Sequence, residues 1–545
     1  MKKVTYALII IIVILILIVF VWPYIMGVSL RSQVFEMSKI SMADASQPKM
    51  KVVDYHVGWL KSNMVLQYSI PIPKNLQLGS KNLVADIKLD VINGPISKLK
   101  HPLTHKTWGW GRAAASGTIT IIQPSANQHP DIKVLARPIS FEAWVNWNGS
   151  IDMHTELPAG VIYQNKAGLT ITSDKIVEDA TINKALTAVS SIAVVNHVQI
   201  KQGPFEAVIS SIDVNSELKK GLAGLWYGSQ QYRVPQASIV NGATNVGQIQ
   251  NIKLAASQSL NQNQSLLARL LFTIDRINVQ GQNFGPLKLD ISANHFQPKM
   301  LAQLAKQLKA LAPQITALQN KQPNPAWTPE QKADFNAQQE AQFEALLTKM
   351  QPALVEAFTG VEMRLNTFFF ATPMGNVQSS GYLAFPDQFN GAMTDPNAME
   401  QLALASRANI KYSVSKQLVL AGSSAAIIMA AERNKAITTP EQKAAYIQKN
   451  MNMLQTVLQG LIKEGVLKQD QTNYMTELSY HNKRFFIFNK AITPEWVKAI
   501  ETGVYPTQQK TQTNSKQNAH QPRVGTTATG SSSHAGTTTT ATWQQ

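Results

Sequence analysis

Leu83-Val84-Ala85-Asp86-Ile87-Lys88-Leu89-Asp90-Val91 is the stretch that decides the fold. Its apolar residues Leu83, Ala85, Ile87, Leu89 and Val91 recur at every second position, with Asp86, Lys88 and Asp90 between them. Successive side chains of a strand point to opposite faces, so this run predicts a strand with one wet face. Met64-Val65-Leu66-Gln67-Tyr68-Ser69-Ile70 repeats the alternation. Asn148-Gly149 lies between the strand-like runs 141–146 and 151–154, and this pair suits a tight hairpin turn with positive φ angles. Further strand-like runs, among them 270–279 and 287–291, extend the pattern to about residue 294. Residues 50–294 are therefore expected to form a long antiparallel β-rich region.

Helical signals dominate after that point. Thr328-Pro329-Glu330-Gln331, Thr439-Pro440-Glu441-Gln442 and Thr493-Pro494-Glu495 share one device. Threonine caps the helix, proline opens it, and glutamate meets its positive end. Glutamine completes a capping box in the first two. Ile447, Met451, Leu454, Leu458 and Leu461 follow a helical spacing that Gly465 should stop. Leu301, Leu304, Leu308 and Leu311 form a similar stripe, which Pro313 should end or kink. Both stripes are expected to cover a sheet. Strands 363–371 and 377–385 flank Thr372-Pro373-Met374-Gly375, a turn suited to a bulge, and 474–480 with 485–489 should make a last hairpin. Residues 295–505 thus read as a mixed helix and strand region packing on the first. Residues 506–545 are rich in Ser, Thr and Gln, with too little apolar surface to offset ordering entropy, and should be disordered.

At the other end, residues 4–21 form an uncharged apolar run long enough to span a bilayer core of about 30 Å. Lys2 and Lys3 precede it, and Trp22 and Tyr24 follow, which predicts a cytoplasmic N-terminus and an aromatic far interface. A cleaved signal peptide is the rival reading. The run is longer than a signal core, and no Ala-x-Ala site follows it, so residues 1–26 are read as an uncleaved anchor. Residues 27–49 read as a juxtamembrane amphipathic helix. The fold class is then α+β: a transmembrane helix, a long antiparallel sheet covered by amphipathic helices, and a disordered tail.

The chain of 545 residues contains no cysteine, which excludes disulfide staples and thiol chemistry. Its formal net charge is +17, with 50 Lys and Arg against 33 Asp and Glu. Beside a membrane, such a charge suggests contact with anionic lipid or another anionic envelope polymer, although a solvated surface with surplus lysine is the simpler reading. Nucleic acid is not the expected partner. The chain should lie outside the cytoplasm, and it has no zinc-finger, recognition-helix or aromatic RNA-binding pattern.

Several motifs stand out from this background. Tyr55-His56-Val57-Gly58-Trp59-Leu60-Lys61-Ser62 is the most specific; Asn93-Gly94-Pro95 and Thr372-Pro373-Met374-Gly375 are weaker. Gly465-Val466-Leu467, Tyr474 and Phe488-Asn489-Lys490 follow near the end. Together with the anchor, over roughly residues 1 to 500, these resemble the YdgA-like family of bacterial envelope proteins of unknown function. That family often has His-Gly-Pro where Asn93 stands and Asn-Gly-Lys at 488–490. The resemblance implies an inner-membrane anchor and a periplasmic domain in a Gram-negative bacterium. It implies no activity and no catalytic residues. Tyr55, Gly58, Trp59, Ser62, Asn93, Gly94, Pro95, Thr372, Pro373 and Gly375 are accordingly read as structural. Direct ligand contact is the lesser alternative for the Trp59 element.

No catalytic motif survives inspection. Gly109-Trp110-Gly111-Arg112-Ala113-Ala114 fits a loose dinucleotide fingerprint, but no apolar strand precedes it and no acidic residue closes it. There is no Gly-x-Ser-x-Gly elbow and no His-Glu-x-x-His helix. His101 and His105 are four apart, but Pro102 intervenes and no third ligand is near in sequence. Trp108, Trp110 and Arg112 are candidates for stacking on a sugar or lipid headgroup, or for an aromatic loop folded onto the sheet. The expectation is a non-enzymatic protein without cofactor or metal. It is either a membrane-tethered scaffold for other envelope proteins or a holder of a lipid or other apolar ligand between sheet and helices. The scaffold needs no cavity and is preferred at this point.

Overall fold

The computed structural model describes residues 49–58, 61–71, 82–93, 96–97, 101–104, 109–122, 132–134, 138–165, 168–319, 327–393, 395, 397–433 and 437–492. The expected membrane anchor, juxtamembrane helix, Thr493 helix start and C-terminal tail lie outside these residues. No helix among the described residues is long and apolar enough to cross a membrane.

The principal strands are β1 Lys49–His56, β2 Lys61–Pro71, β3 Asn82–Asn93, β4 Ala113–Ile122, β5 Ile139–Val145, β6 Ile151–Leu157 and β7 Ile176–Ile182. They continue with β8 Ala188–Gln202, β9 Phe205–Lys220, β10 Trp226–Asn241, β11 Thr244–Leu260, β12 Leu266–Ile274 and β13 Leu287–Phe296. The last are β14 Glu362–Thr372, β15 Gly375–Ala384, β16 Arg407–Ser415, β17 Asn473–His481 and β18 Arg484–Ile487. Each pairs antiparallel with the next in chain order, so these strands form one long meander. The sheet expected for 50–294 is present, and it continues past that point through the pairing of β13 with β14.

The alternation that opened the reading holds. In β3, Ala85, Leu89 and Val91 are buried, while Lys88 and Asp90 are exposed. Met64, Leu66, Leu89, Val91 and Ala113 form a buried cluster, flanked by Met50, Val52, Tyr55 and Phe141. Burying each large apolar side chain here contributes about 1.5–3 kcal/mol. The Lys61–Asp90 ion pair on the wet face, at 2.9 Å, is exposed and contributes little.

The turns follow local chemistry, with corrections. At Asn148-Gly149 only Gly149 has positive φ, and the Asn146 N–H donates to the Ser150 carbonyl at 2.8 Å. The loop is therefore one residue longer than the tight turn expected, a three-residue hairpin with glycine in the left-handed position. Two-residue turns with both φ positive occur instead at Gln280-Gly281, Asn482-Lys483 and Phe488-Asn489, the second of them between β17 and β18. Thr372 pairs directly with Gly375, so the bulge expected at that turn is absent; the register shifts between Leu365 and Phe368 instead.

Among the described residues, five α-helices are inserted between the later strands: α1 Pro298–Gln319, α2 Pro329–Phe358, α3 Ala398–Leu404, α4 Lys416–Arg433 and α5 Pro440–Lys463. Capping boxes at Thr328 and Thr439 start α2 and α5 as expected. After α5, Val466 N–H donates to the Leu461 carbonyl at 2.9 Å and Gly465 N–H to Ile462 at 3.0 Å, the two bonds of a glycine-terminated helix. α1 runs on through Pro313. One missing hydrogen bond is tolerated where α2 packs alongside and Gln339 Nε2 donates to the Leu318 carbonyl at 3.1 Å. α1 packs on α2, α2 on α3 and α4 on α5; α4 also reaches β15 and β16, and Phe358 at the end of α2 meets Phe296 of β13. The stripe of α5 is only half-buried. The expected helical cover over the sheet is thus incomplete, and one face of the later strands stays open.

Candidate functional site: an apolar groove on the open sheet face

Cross-strand partners in an antiparallel sheet point to the same face. One row runs Ala193, Val214, Tyr232, Leu254, Phe272, Leu289, Phe368 from β8 to β14. The next runs Leu270, Ile291, Leu365, Gly381, Ile410, Leu478 from β12 to β17. The intervening positions, which face the other way, read Ser257, Arg269, Ser292, Arg364, Tyr382, Asn409, Ser479 from β11 to β17. The sheet is amphipathic, and its apolar side is not sealed. Ile291 is 37% exposed, Leu270 38%, Ile410 43% and Phe485 52%. Contiguous exposed apolar surface of this kind marks a site of interaction.

A groove of about 520 Å³ is set into that face over β13 to β18. Its walls include Ile291, Met363, Leu365, Leu383, Ile410, Leu478, Tyr480 and Phe485. Gly381 forms the floor between its partners Leu365 and Ile410. A Cβ at Gly381 would overlap the Asn409 carbonyl oxygen, so the strands approach there as only glycine allows. Tyr480 and Phe485 close one side with ring centroids 4.7 Å apart.

The polar side of the same strands is held by a network. Arg269 donates from Nε and Nη2 to the two Asp290 carboxylate oxygens at 2.9 and 2.6 Å. Asn366 Nδ2 donates to Asp290 Oδ1 and Ser292 Oγ, both at 3.1 Å. The hydrogen bonds from Arg269 hold the Asp290 carboxyl below its usual pKa range against the opposing effect of burial, and Asp290 in turn raises that of Arg269. Nearby Arg364 pairs with Glu362. Arg269 and Arg364 on this side are exposed, over the buried Asp290 and Ser292.

Two of the sequence motifs are brought together elsewhere, at the end of the N-terminal core. Asn93 Nδ2 donates to Ser62 Oγ at 2.7 Å and to the Gly58 carbonyl at 3.3 Å. Ser62 is fully buried and Asn93 is 2% exposed. Tyr55 packs on the adjacent apolar cluster. These residues act as a lock between β2 and β3. Trp59, Gly94, Pro95 and Trp108 lie outside the described residues. Gly375 packs so closely on Ser415 that a side chain there would overlap it, and Ser415 Oγ accepts from the Asn376 N–H at 2.9 Å. Thr372 Oγ1 accepts from the Met374 N–H at 3.2 Å across Pro373. Trp110 lies on a short strand, Gly109–Trp110, paired with Ile96–Ser97. Arg112 donates its backbone N–H to the Val145 carbonyl at 2.7 Å.

His101 has an acidic neighbour that its own segment lacks: Asp152 lies 3.5 Å from Nε2. Asp152 also accepts from Thr181 Oγ1 and Asn146 Nδ2, each at 2.8 Å, and His101 packs on buried Trp144. The hydroxyl of Thr181 is thus turned to the carboxylate rather than to the imidazole, an arrangement that ties strands together. No group of three or more potential metal ligands is found among the described residues. The groove residues were missed in the motif search, because they bear no motif. Their signal was the apolar register of successive strands.

The chain belongs to the DUF945 family, bacterial proteins of unknown function, whose pattern matches residues 1–495. No curated protein and no solved structure matches it.

Proposed function

We propose that this chain is a YdgA-like, inner-membrane-anchored periplasmic protein that holds a lipid acyl chain against the open face of its sheet. The observation that carries the reading is the apolar groove over Gly381, continuous with an amphipathic sheet whose apolar rows stay partly exposed. Its volume of about 520 Å³ falls within the range of small-molecule sites, roughly 300–1,000 Å³. Burying about ten methylenes there contributes on the order of 8 kcal/mol before ordering costs. No chemistry is required of the protein, in keeping with a non-enzymatic role. An anchor at residues 4–21 would keep the groove beside a bilayer, its source of lipid, and the net charge of +17 would favour an anionic surface.

The scaffold reading would use the same face to seat another envelope protein, and one experiment separates the two. A photo-crosslinking residue is placed at Ile410 in the full chain in cells, with a control at Lys411, exposed and outside the groove lining. Lipid-mass adducts at Ile410 and none at Lys411 are expected. Adducts to proteins alone would favour the scaffold and overturn the lipid reading, as would the absence of any adduct.

A further inference from the structure

The sheet carries another depression, on its polar side. A cleft of about 770 Å³ lies over β7 to β11, larger than the apolar groove and within the range of small-molecule sites, roughly 300–1,000 Å³. Its lining contains one cross-strand row, Thr181, Ser190, Glu217, Ser229 and Ser257, which continues into Arg269 on the side opposite the groove. Neighbours in such a row sit about 4.8 Å apart, so Ser190 to Ser257 spans roughly 14 Å. The short serine side chains leave the space above the row open.

The rim is fixed by local chemistry. Asn183 Oδ1 accepts from the Thr187 and Ala188 N–H groups at 2.7 and 2.9 Å, which closes the turn between β7 and β8. The hairpin loop at Gly149 lies against that turn, where an added Cβ would come within 2.8 Å of the Lys184 side chain. Tyr227 and Lys219 are cross-strand partners two residues along from Ser229 and Glu217, so their side chains stand on the same face as the row. The Tyr227 hydroxyl donates to the Leu222 carbonyl at 3.0 Å, and its ring lies so close to Gly221 that a Cβ there would overlap it. The hydroxyl is thus spent within the protein, and what Tyr227 brings to the cleft is a fixed apolar ring.

The polar groups around that ring are free. Ser190, Glu217, Lys219, Ser229 and Ser257 make no side-chain hydrogen bond or ion pair among the described residues. Glu217 and Lys219 are the two charged residues of the lining, and their charges cancel. A polyanion would meet Glu217, an organic cation would meet Lys219, and an acyl chain would strand the hydroxyls. A sugar satisfies the whole set. Its hydroxyls replace the water on the serines and the two charged groups, and its C–H face lies on the ring.

We infer that this cleft binds a short stretch of a neutral glycan chain, independently of the lipid reading of the groove. Glu217 accepts from sugar hydroxyls, Lys219 donates to them, and the Tyr227 ring carries a pyranose face. The test presents the full chain, in micelles of a detergent without sugar headgroups, with chitotriose and maltotriose at millimolar concentration. Saturation-transfer NMR should show transfer from the protein to ring C–H protons of at least one of them. Glu217→Ala, at an exposed residue without partners, should weaken that binding about tenfold, the scale of one hydrogen bond to a charged group. Tyr227→Phe keeps the ring and should bind as before, while Tyr227→Ala should lose transfer. Absence of transfer from both trisaccharides, or transfer unchanged in Glu217→Ala, would overturn the inference. Binding of dextran sulfate that Lys219→Ala removes, with no transfer to either neutral sugar, would mark a polyanion surface and overturn it equally.

Discussion

Replacing Asn93 by alanine tests whether the motif residues form a lock or a binding surface. The side chain is 2% exposed and donates to Ser62 Oγ at 2.7 Å and to the Gly58 carbonyl at 3.3 Å. Losing two such bonds costs about 0.5–1.5 kcal/mol each, the longer one at the low end. Ser62 is fully buried, so its hydroxyl would be stranded, a further cost of about 1–3 kcal/mol. One effect opposes these. Asn93 Oδ1 is already buried without a partner, and its removal relieves a similar penalty. The net expectation is about 2 kcal/mol of local destabilisation, or roughly thirtyfold in the opening equilibrium. Hydrogen exchange of the full chain, read by mass spectrometry on peptides of β2 and β3, measures that opening directly. Pairing Asn93→Leu with Ser62→Ala should cost less than Asn93→Leu alone, because both polar partners then leave together. Exchange in β2 and β3 unchanged within about twofold in Asn93→Ala would refute the lock and return the Tyr-x-x-Gly-Trp-x-x-Ser element to the functional candidates.

Asp290 gives a pH dependence. Its folded pKa is lowered, first by the Arg269 hydrogen bonds, so its stabilising contribution is present above the unfolded value of about 3.9 and is lost as pH falls through the folded one. Asp290→Asn should therefore lower the thermal midpoint at neutral pH and make little difference at acid pH; a pH-independent effect would contradict this. Gly375→Ala places a methyl on Ser415 at a φ of 127°. It should cost about 1–3 kcal/mol by thermal or chemical unfolding, and an unaffected midpoint would show that Ser415 yields freely.

Local chemistry made much of the fold legible. Thr328 and Thr439 capped their helices because the capping box uses residues within one turn of each other. β3 was read correctly because polar Asp86, Lys88 and Asp90 alternate with apolar Ala85, Ile87, Leu89 and Val91. The failures were contextual. Pro313 should have ended α1, but packing along α2 held the helix past it. Asn148-Gly149 made a longer loop because Asn146 and Ser150 pair across it, and turn length follows the register of both strands rather than one dipeptide. The join of Asn93 to Ser62 lay between two motifs noticed separately, and only the pairing of β2 with β3 brings them within 2.7 Å.

The groove was less legible than the fold for a physical reason. A strand whose apolar side faces a core and one whose apolar side faces a ligand share the same alternation, so Ile291, Leu365, Ile410 and Leu478 read as core residues wherever a helix is expected to cover them. Helical stripes such as Ile447 to Leu461 encouraged that expectation, since amphipathic helices inserted into a sheet ordinarily seal it. Here the helices also pair with each other, and Leu270, Ile291, Ile410, Leu478 and Phe485 stay exposed. Gly381 carried the remaining signal. A glycine in the middle of Val377-Gln378-Ser379-Ser380-Gly381-Tyr382-Leu383 weakens a strand, and here neighbouring backbones close up at it beneath a depression in the apolar face. The open face and the missing side chain at its centre are therefore one feature.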